Sequence, residues 1–419
     1  MLAAFVVLPT FALVYLVGAP WMWPWRIVDL AVSGVVLAVV SASWLAVFDL
    51  TPPDRRPYAG TTNRNSMLEL AVGPYGIGRF IRSAEFRSAS LAPTSALVPM
   101  TQRAAGEAAP RPRRGLARLF VQEPTGALRL ADGQLAAQVG WLLPFALAGI
   151  ALGAPPDRAR GWSSPSRLAL LLWAGWLVTY GVVYSGAGGF FHFYYLATMA
   201  PPLAALAAVG LVGLCDTLLR SARYAVLLPV AMLLTCAWQL YIDASALGWS
   251  LVESHPLHAF LISGALLSAG MLLTVLVARP VDASRPLGRR PRLMAAGAVA
   301  TGLVAVLLVP GAWALSSVLV PGPGSLPSAD LARVIPIAGG PPARTRMVES
   351  YDPSGLVAFL EANHAGERYL LATTTTRLAA PIIIGSGHPV MAMGGFHGLD
   401  PILNPDKLAR RSRPGKFAS

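Results

Sequence analysis

The chain is written in apolar blocks of roughly 20 residues, and that block length decides what it can fold into. A helix rises about 1.5 Å per residue, so about 20 residues cross a hydrocarbon core of about 30 Å. Only a helix satisfies its own backbone polar groups within lipid. Blocks of this kind read at 1–18, 27–48, 134–154, 168–185, 194–215, 224–241, 258–278 and 293–317. Charged residues make up only 13% of the sequence, against about 25% in an ordinary soluble domain. A soluble protein would need core helices this long and this uniformly apolar, which are rare. The expected class is an all-α polytopic membrane bundle of about eight spans. Prolines inside the blocks (Pro9, Pro144, Pro201, Pro202, Pro229 and Pro310) predict kinks, which membrane bundles tolerate. No acidic residue falls well inside a block as delimited, which argues against a transporter, as does the lack of a clear pair of inverted repeats.

Arginine placement predicts direction. Arg26, the group Arg158, Arg160 and Arg167, the pair Arg220 and Arg223, and the group from Arg279 to Arg292 all fall in one set of short loops. The opposite short loops, 186–193 and 242–257, contain no Lys or Arg. The first set is then cytoplasmic, and segments 49–133 and 318–419 are extracytoplasmic. The formal net charge of +13 is read as topology signal and attraction to anionic lipid, not as a nucleic-acid footprint. Residues 1–18 lack a basic leader and a small-residue cleavage site, so they read as a span of a multi-pass plasma-membrane protein. Cys215 and Cys236 lie at or inside apolar blocks and read as small hydrophobes.

This gives two helices in 1–48, a loop at 49–133, six helices in 134–317, a linker at 318–350, a small α/β domain at 351–405 and a basic tail at 406–419. In the loop, NRNSMLEL predicts a short helix begun by Asn63 or Asn65. Residues 100–118 form an Ala/Pro/Arg-rich spacer, predicted to be mobile. In the last domain, SYDPSGLVAFLEAN predicts a helix with Leu356, Phe359 and Leu360 on its apolar face. RYLLATTTT and HPVMAMGGF read as strands, and their alternation with helix predicts a parallel sheet. RLAAPIIIGSG stays ambiguous because of Pro381.

The chain carries no CxxC pair, no HExxH, no Walker A motif and no GxSxG. GPYGIG at 73–78 lacks the Lys-Ser/Thr and the preceding strand of a phosphate loop. Nothing calls for a metal or other cofactor. The chemistry-bearing stretch is GAGGFFHFYYLATMAPPLAA at 186–205. His192, Tyr194 and Tyr195 fall at a membrane boundary, where imidazolium and phenol can donate to lipid phosphate. The same residues also suit an interfacial aromatic belt, and both readings stand. Gln134 and Gln138, one turn apart, share a helix face and suit either helix contact or ligand contact.

FHFYYLATMAPPLAAL resembles the His-Pro-Tyr-Tyr stretch of bacterial membrane glycosyltransferases related to protein O-mannosyltransferases and aminoarabinose transferases. RPYAGTTNRNSMLEL with GPYGIGR, LRLADGQLAAQVGWLLP, and YLLATTTTRLAAPIIIGSGHPVMAMGGFHGLDPIL agree. The last stretch narrows the resemblance to the actinobacterial mannosyltransferase subgroup with an added C-terminal domain. The resemblance implies a GT-C-like fold, partial here, that passes a sugar from a polyprenyl-phosphate donor to a glycan, lipid or protein acceptor on the outer face. It implies that His192, Tyr194, Tyr195 and Arg79 meet the leaving phosphate. It implies that Tyr58, Asn63, Asn65, Gln134 and Gln138 meet the sugar, with Tyr75 and Trp141 as stacking surfaces.

Departures are also visible. Phe193 stands where the family has Pro, Arg64 separates Asn63 from Asn65, and GPYG replaces Gly-Tyr-Asn-Gly. The family's catalytic Asp lies in a first external loop that has no counterpart here, so a truncated form is expected, with Asp49 the remaining weak candidate base. A non-catalytic membrane protein that binds a glycan or a partner is the alternative.

Overall fold

The computed structural model describes residues 2–53, 55–60, 62, 64–73, 76, 125–153, 164–187, 191–221, 223–278, 287–319, 328–334, 353–396, 398, 400 and 402. The chain divides into two compact units: 1–32, 93–321 and 326–344 in one, and 33–92, 322–325 and 345–419 in the other.

The chain is an all-α polytopic membrane bundle. The helices, in order, are α1 (Leu2–Phe5), α2 (Leu8–Gly18), α3 (Trp23–Leu50), α4 (Met67–Val72), α5 (Gly133–Val139), α6 (Leu143–Leu152), α7 (Pro165–Gly186), α8 (Ala200–Arg220), α9 (Leu227–Leu247), α10 (Trp249–Ser254), α11 (Pro256–Val277), α12 (Arg289–Leu319), α13 (Ser354–Ala362) and α14 (Thr376–Ser386). Among the described residues, seven stretches are long and apolar enough to span: Trp23–Leu50, Gly133–Leu152, Pro165–Gly186, Phe193–Arg220, Leu227–Leu247, Pro256–Val277 and Arg289–Leu319. The span expected at 1–18 is instead the short pair α1 and α2, interrupted at Val6–Val7 ahead of Pro9.

Most of the prolines start helices where kinks were expected. Pro9, Pro144, Pro165, Pro201 and Pro256 stand in the first turn of α2, α6, α7, α8 and α11. There the missing N–H has no intrahelical partner to lose. Only Pro310 of the expected set lies deep inside a helix, α12.

The first unit's core is apolar and closely packed, with Leu206, Leu228, Met232, Leu261, Leu272 and Val306 fully or almost fully buried. Close approach of α6 and α8 rests on two glycines. A Cβ on Gly149 would lie 2.0 Å from the Leu206 carbonyl oxygen, and one on Gly210 would lie 2.0 Å from that of Phe145. Small residues let helix backbones meet in lipid, where burial of apolar surface supplies little drive. Polar links add to this: Thr10 meets Thr179 at 2.8 Å between α2 and α7, and Ser268 of α11 donates to the Ala298 carbonyl of α12 at 2.7 Å.

Apolar blocks do not exclude polar cores. The α9 helix runs to Leu247, beyond the 241 boundary read from the sequence, and so encloses Asp243, which is fully buried. The expectation of no acidic residue inside a span is thereby corrected.

In the second unit, β1 (Leu371–Thr373) and β2 (Val390–Ala392) pair in parallel, with Leu371 opposite Val390 and Thr373 opposite Ala392. The α14 helix connects them and carries Pro381 within it. Thr375 caps α14 by accepting from the Leu378 N–H at 3.2 Å, and Gly387 ends it at φ +70°, a left-handed position that favours glycine. Val357, Leu370, Ala379, Ile382 and Val390 form this small core. Leu356 and Leu360 of α13 pack on it, but Phe359 is 63% exposed and Val357 takes the inward place expected of it. The helix α4 is capped by Ser66, whose hydroxyl accepts from the Glu69 N–H at 3.1 Å. Of the two expected caps, Asn65 sits one residue too early with φ +52°, and Asn63 lies outside the described residues.

Candidate functional site

The α7 helix ends at Gly186, and Phe191 and His192 lead into a 3₁₀ turn, Phe193–Met199, that feeds α8. His192 has extended backbone at the head of this turn, and its carbonyl accepts from the Tyr195 N–H at 3.1 Å. A three-residue repeat places side chains on one side of a 3₁₀ turn, so neighbouring residues splay and then reconverge. The His192 ring lies face to face with Tyr194, centroids 5.3 Å apart at 10°. Tyr195 stands edge-on to both, 5.4 Å from His192 and 4.7 Å from Tyr194. Tyr194 is 40% exposed, while His192 and Tyr195 are half-buried. The arrangement offers an imidazole and two phenols from four consecutive residues, one of them open to the surroundings.

Behind this trio runs a ladder of rings. Phe191 contacts Tyr195 at 5.5 Å and Tyr184 at 5.3 Å, Tyr184 continues to Tyr180 at 5.3 Å, and Tyr180 continues to Trp176 at 6.4 Å. Offset and edge-on aromatic pairs of this kind each contribute about 0.5–1.5 kcal/mol beyond area burial. Polar tips tie the ladder to the turn. The Tyr184 hydroxyl meets Thr198 Oγ1 at 2.9 Å, and Trp176 Nε1 donates to the Thr198 carbonyl at 3.2 Å. Three of these rings come from α7 at four-residue spacing, which puts them on one helix face.

Sequence reading overlooked Arg129. It lies in a 3₁₀ turn, Arg129–Ala131, and is 6% exposed. Its Nη1 donates to the carbonyls of Tyr184 at 2.9 Å and Ala187 at 2.6 Å, and its guanidinium lies 4.8 Å from the Phe191 ring centroid. Asp132 follows and caps α5 by accepting from the Gln134 N–H at 3.0 Å.

The two glutamines part company on α5. Gln134 is exposed. Gln138 is engaged in the fold: its Oε1 accepts from the Ala329 N–H at 2.9 Å and its Nε2 donates to the Ala329 carbonyl at 3.0 Å. Trp141 is 6% exposed, packs on Trp313 with centroids 5.5 Å apart, and donates to the Ala137 carbonyl at 3.0 Å.

In the second unit, the remaining described candidates are built into one self-bonded loop. The Asn65 side chain accepts from the Ala59 N–H at 2.6 Å, and the Tyr58 hydroxyl donates to the Thr62 carbonyl at 3.2 Å. Burial, then the nearby Asp400 and Glu69 carboxylates, push the Tyr58 phenol above its usual pKa. Asp49 accepts from the Ser66 hydroxyl at 2.9 Å and from the N–H groups of Met67 at 2.9 Å and Leu68 at 3.1 Å. Arg56 donates to the backbone carbonyls of Asp49, Thr51 and Asn65. Asp49 therefore anchors the start of α4. Asn63, Tyr75 and Arg79 lie outside the described residues.

Fold and sequence together define a multi-pass membrane protein with an aromatic, donor-rich turn between two membrane helices. Residues 356–417 match the family described as "Putative mannosyltransferase YkcB-like, C-terminal". The chain is 31% identical to "Putative mannosyltransferase YycA" of Bacillus subtilis (strain 168), over 99% of this chain and 65% of that protein. It is 30% identical to "Putative mannosyltransferase YkcB" of the same organism, over 99% of this chain and 64% of that protein. The chain is thus similar over nearly its whole length to putative mannosyltransferases, and its C-terminal part matches the YkcB-like family. It spans just under two thirds of the length of these relatives. No solved structure matches it significantly.

Proposed function

We propose that this protein acts as an integral-membrane glycosyltransferase, taking a sugar from a polyprenyl-phosphate donor at the outer membrane face and passing it to an acceptor hydroxyl. The observation that carries the reading is the His192–Tyr194–Tyr195 group, three phosphate-compatible donors packed within 5.4 Å of one another at the end of a span. Likeness to the putative mannosyltransferases supports the reaction class, and the absence of Lys and Arg from loops 186–193 and 242–257 supports the outer placement.

In this reaction the acceptor oxygen bonds to the anomeric carbon as the bond from that carbon to the phosphate oxygen breaks. The electron pair goes to the leaving polyprenyl phosphate, and the acceptor's hydroxyl proton passes to that phosphate or to water. Charge grows on its oxygens, so donors aimed there lower the barrier most. An imidazolium at His192 and the phenols of Tyr194 and Tyr195 fill that role, and the low dielectric at a membrane boundary strengthens each bond. The exposed Gln134 amide supplies both donor and acceptor for sugar hydroxyls. The ring ladder from Trp176 to Tyr195 holds the donors in place before substrate arrives, which reduces the ordering cost at binding.

The test uses the full chain in lipid nanodiscs, titrated with undecaprenyl phosphate and then supplied with a polyprenyl-phosphate mannose and candidate acceptors. Saturable phosphate-dependent binding, weakened about tenfold or more by His192→Ala, is expected, since a charge-assisted hydrogen bond is worth about 1.5–3 kcal/mol. Equal binding of polyprenyl phosphate and polyprenol would contradict the reading. So would glycan capture with no lipid-phosphate dependence.

A further inference from the structure

Phe191, which leads into the His192 turn, stands only four residues after Ala187, and both residues meet one side chain. Arg129 Nη1 donates to the carbonyls of Tyr184 and Ala187, at the C-terminal end of α7. The Cζ of the same guanidinium lies over the Phe191 ring, on the far side of the Gly-rich stretch. Phe191 is 1% exposed, is edge-on to both Tyr184 and Tyr195, and is bonded directly to His192. One side chain therefore pins the residue before the stretch and the residue after it. Arg129 is itself fixed from both directions: the Gly126 N–H donates to the Ser185 carbonyl at 3.0 Å, and Asp132 begins α5.

The chemistry of this clamp is specific to arginine. A cation is favoured at a helix C-terminus, where carbonyls carry partial negative charge. Lysine also supplies a cation, but it lacks a flat face to stack on a ring while its N–H groups serve two carbonyls. The Phe191 contact is within the range where cation–π attraction is appreciable. Glutamine keeps one donor and loses both the charge and the stack.

We propose that Arg129 is the positioning residue of the His192 turn: it sets Phe191 and hence the His192–Tyr194–Tyr195 group against the end of α7. The inference rests on the phosphate reading above for its consequence, but its geometry can be tested without any ligand.

The experiment uses the full chain in nanodiscs with isotope-labelled histidine, comparing wild type with Arg129→Lys and Arg129→Gln. His192 is assigned by the signal lost in His192→Ala. Two readouts are taken: the His192 ring signal without ligand, and undecaprenyl-phosphate affinity. In both Arg129 variants the ring signal moves while thermal unfolding stays cooperative, and affinity falls about tenfold. Lysine does not rescue the signal. An unmoved ring signal overturns the inference, whether binding is unchanged or falls; a fall with the ring in place would mean that Arg129 meets the anion itself. If the ring signal moves but His192→Ala binds as tightly as wild type, the positioning role stands and the phosphate reading fails. If a variant does not fold, the milder Phe191→Leu, which removes the stack alone, is expected to move the same signal, and an unmoved signal there also overturns the inference.

Discussion

Asp243 and His258 meet inside the membrane domain with carboxylate Oδ2 and imidazole Nε2 2.7 Å apart, both wholly shielded from solvent. They come from neighbouring helices, α9 and α11, and Trp313 of α12 donates to the other Asp243 oxygen at 2.7 Å. His258 Nδ1 is buried with no hydrogen-bond partner among the described residues. Three helices are thus joined at one carboxylate. An ionisable group buried in a span is costly and persists only when it is paired.

Asp243→Ala leaves two donors facing apolar surroundings. Breaking such a buried pair costs about 3–5 kcal/mol, so a marked fall in the thermal unfolding midpoint of the detergent-solubilised chain is expected. Trp313→Phe, which keeps the ring stacking on Trp141, is expected to cost less, about 1.5–3 kcal/mol. Equal stability of wild type and Asp243→Ala would show that the link contributes nothing.

Gly149 and Gly210 set how near α6 and α8 approach. Gly149→Val and Gly210→Val each force the backbones apart, because a Cβ would collide with a carbonyl oxygen. Both variants are expected to lose folded yield on size-exclusion chromatography. Gly181→Ala is the control, since nothing lies within 4 Å of its added carbon. It is expected to leave stability unchanged or raise it by up to about 1 kcal/mol.

Asp49 and Ser66 hold the first turn of α4 together. Ser66→Ala is expected to cost about 1 kcal/mol of local stability, and Asp49→Ala more, because it removes three accepted bonds at once. Hydrogen exchange at the Met67 and Leu68 amides reads this directly. Exchange should quicken in both variants, while the membrane helices keep their protection.

His255 caps α11, its Nδ1 accepting from the Leu257 N–H at 3.2 Å. Burial first, and then the neighbouring His258, hold its pKa below the usual histidine value. The unfolded chain therefore binds this proton at a higher pH than the folded chain does. Stability is fully present above the ordinary histidine pKa, near 6.5, and falls as pH drops from there toward the depressed folded value. An unfolding midpoint that declines across this window, with a shallower decline in His255→Asn, is expected. Identical profiles for the two proteins would contradict the assignment.

The membrane helices are legible because uniform apolarity over about 20 residues has few other outcomes. The parallel βα unit is legible too, since RYLLATTTT and HPVMAMGGF pair as β1 and β2. What stays hidden is set by distant partners. Arg129 sits among turn formers with no periodic signal, and its carbonyl acceptors lie 55 and 58 residues away. Asp243 escapes notice because the apolar run fades before the helix does. Asn65 looks like a cap, yet its left-handed backbone and its bond to Ala59 make it a turn residue. Gln134 and Gln138 share a helix, but Ala329, remote in sequence, claims only the second. The candidate residues His192, Tyr194 and Tyr195 could be named early because they lie within four consecutive positions. How their rings face one another follows from a 3₁₀ turn that the sequence does not announce.

Photo-crosslinking bears most directly on the proposed lipid-phosphate site. A polyprenyl phosphate carrying a diazirine next to its phosphate would be irradiated with the full chain in nanodiscs, and adducts mapped by mass spectrometry. Adducts concentrated on residues 191–199, competed by unlabelled polyprenyl phosphate but not by polyprenol, are expected. Adducts spread along lipid-facing helices, with 191–199 unlabelled or unaffected by competition, would contradict a phosphate site at His192.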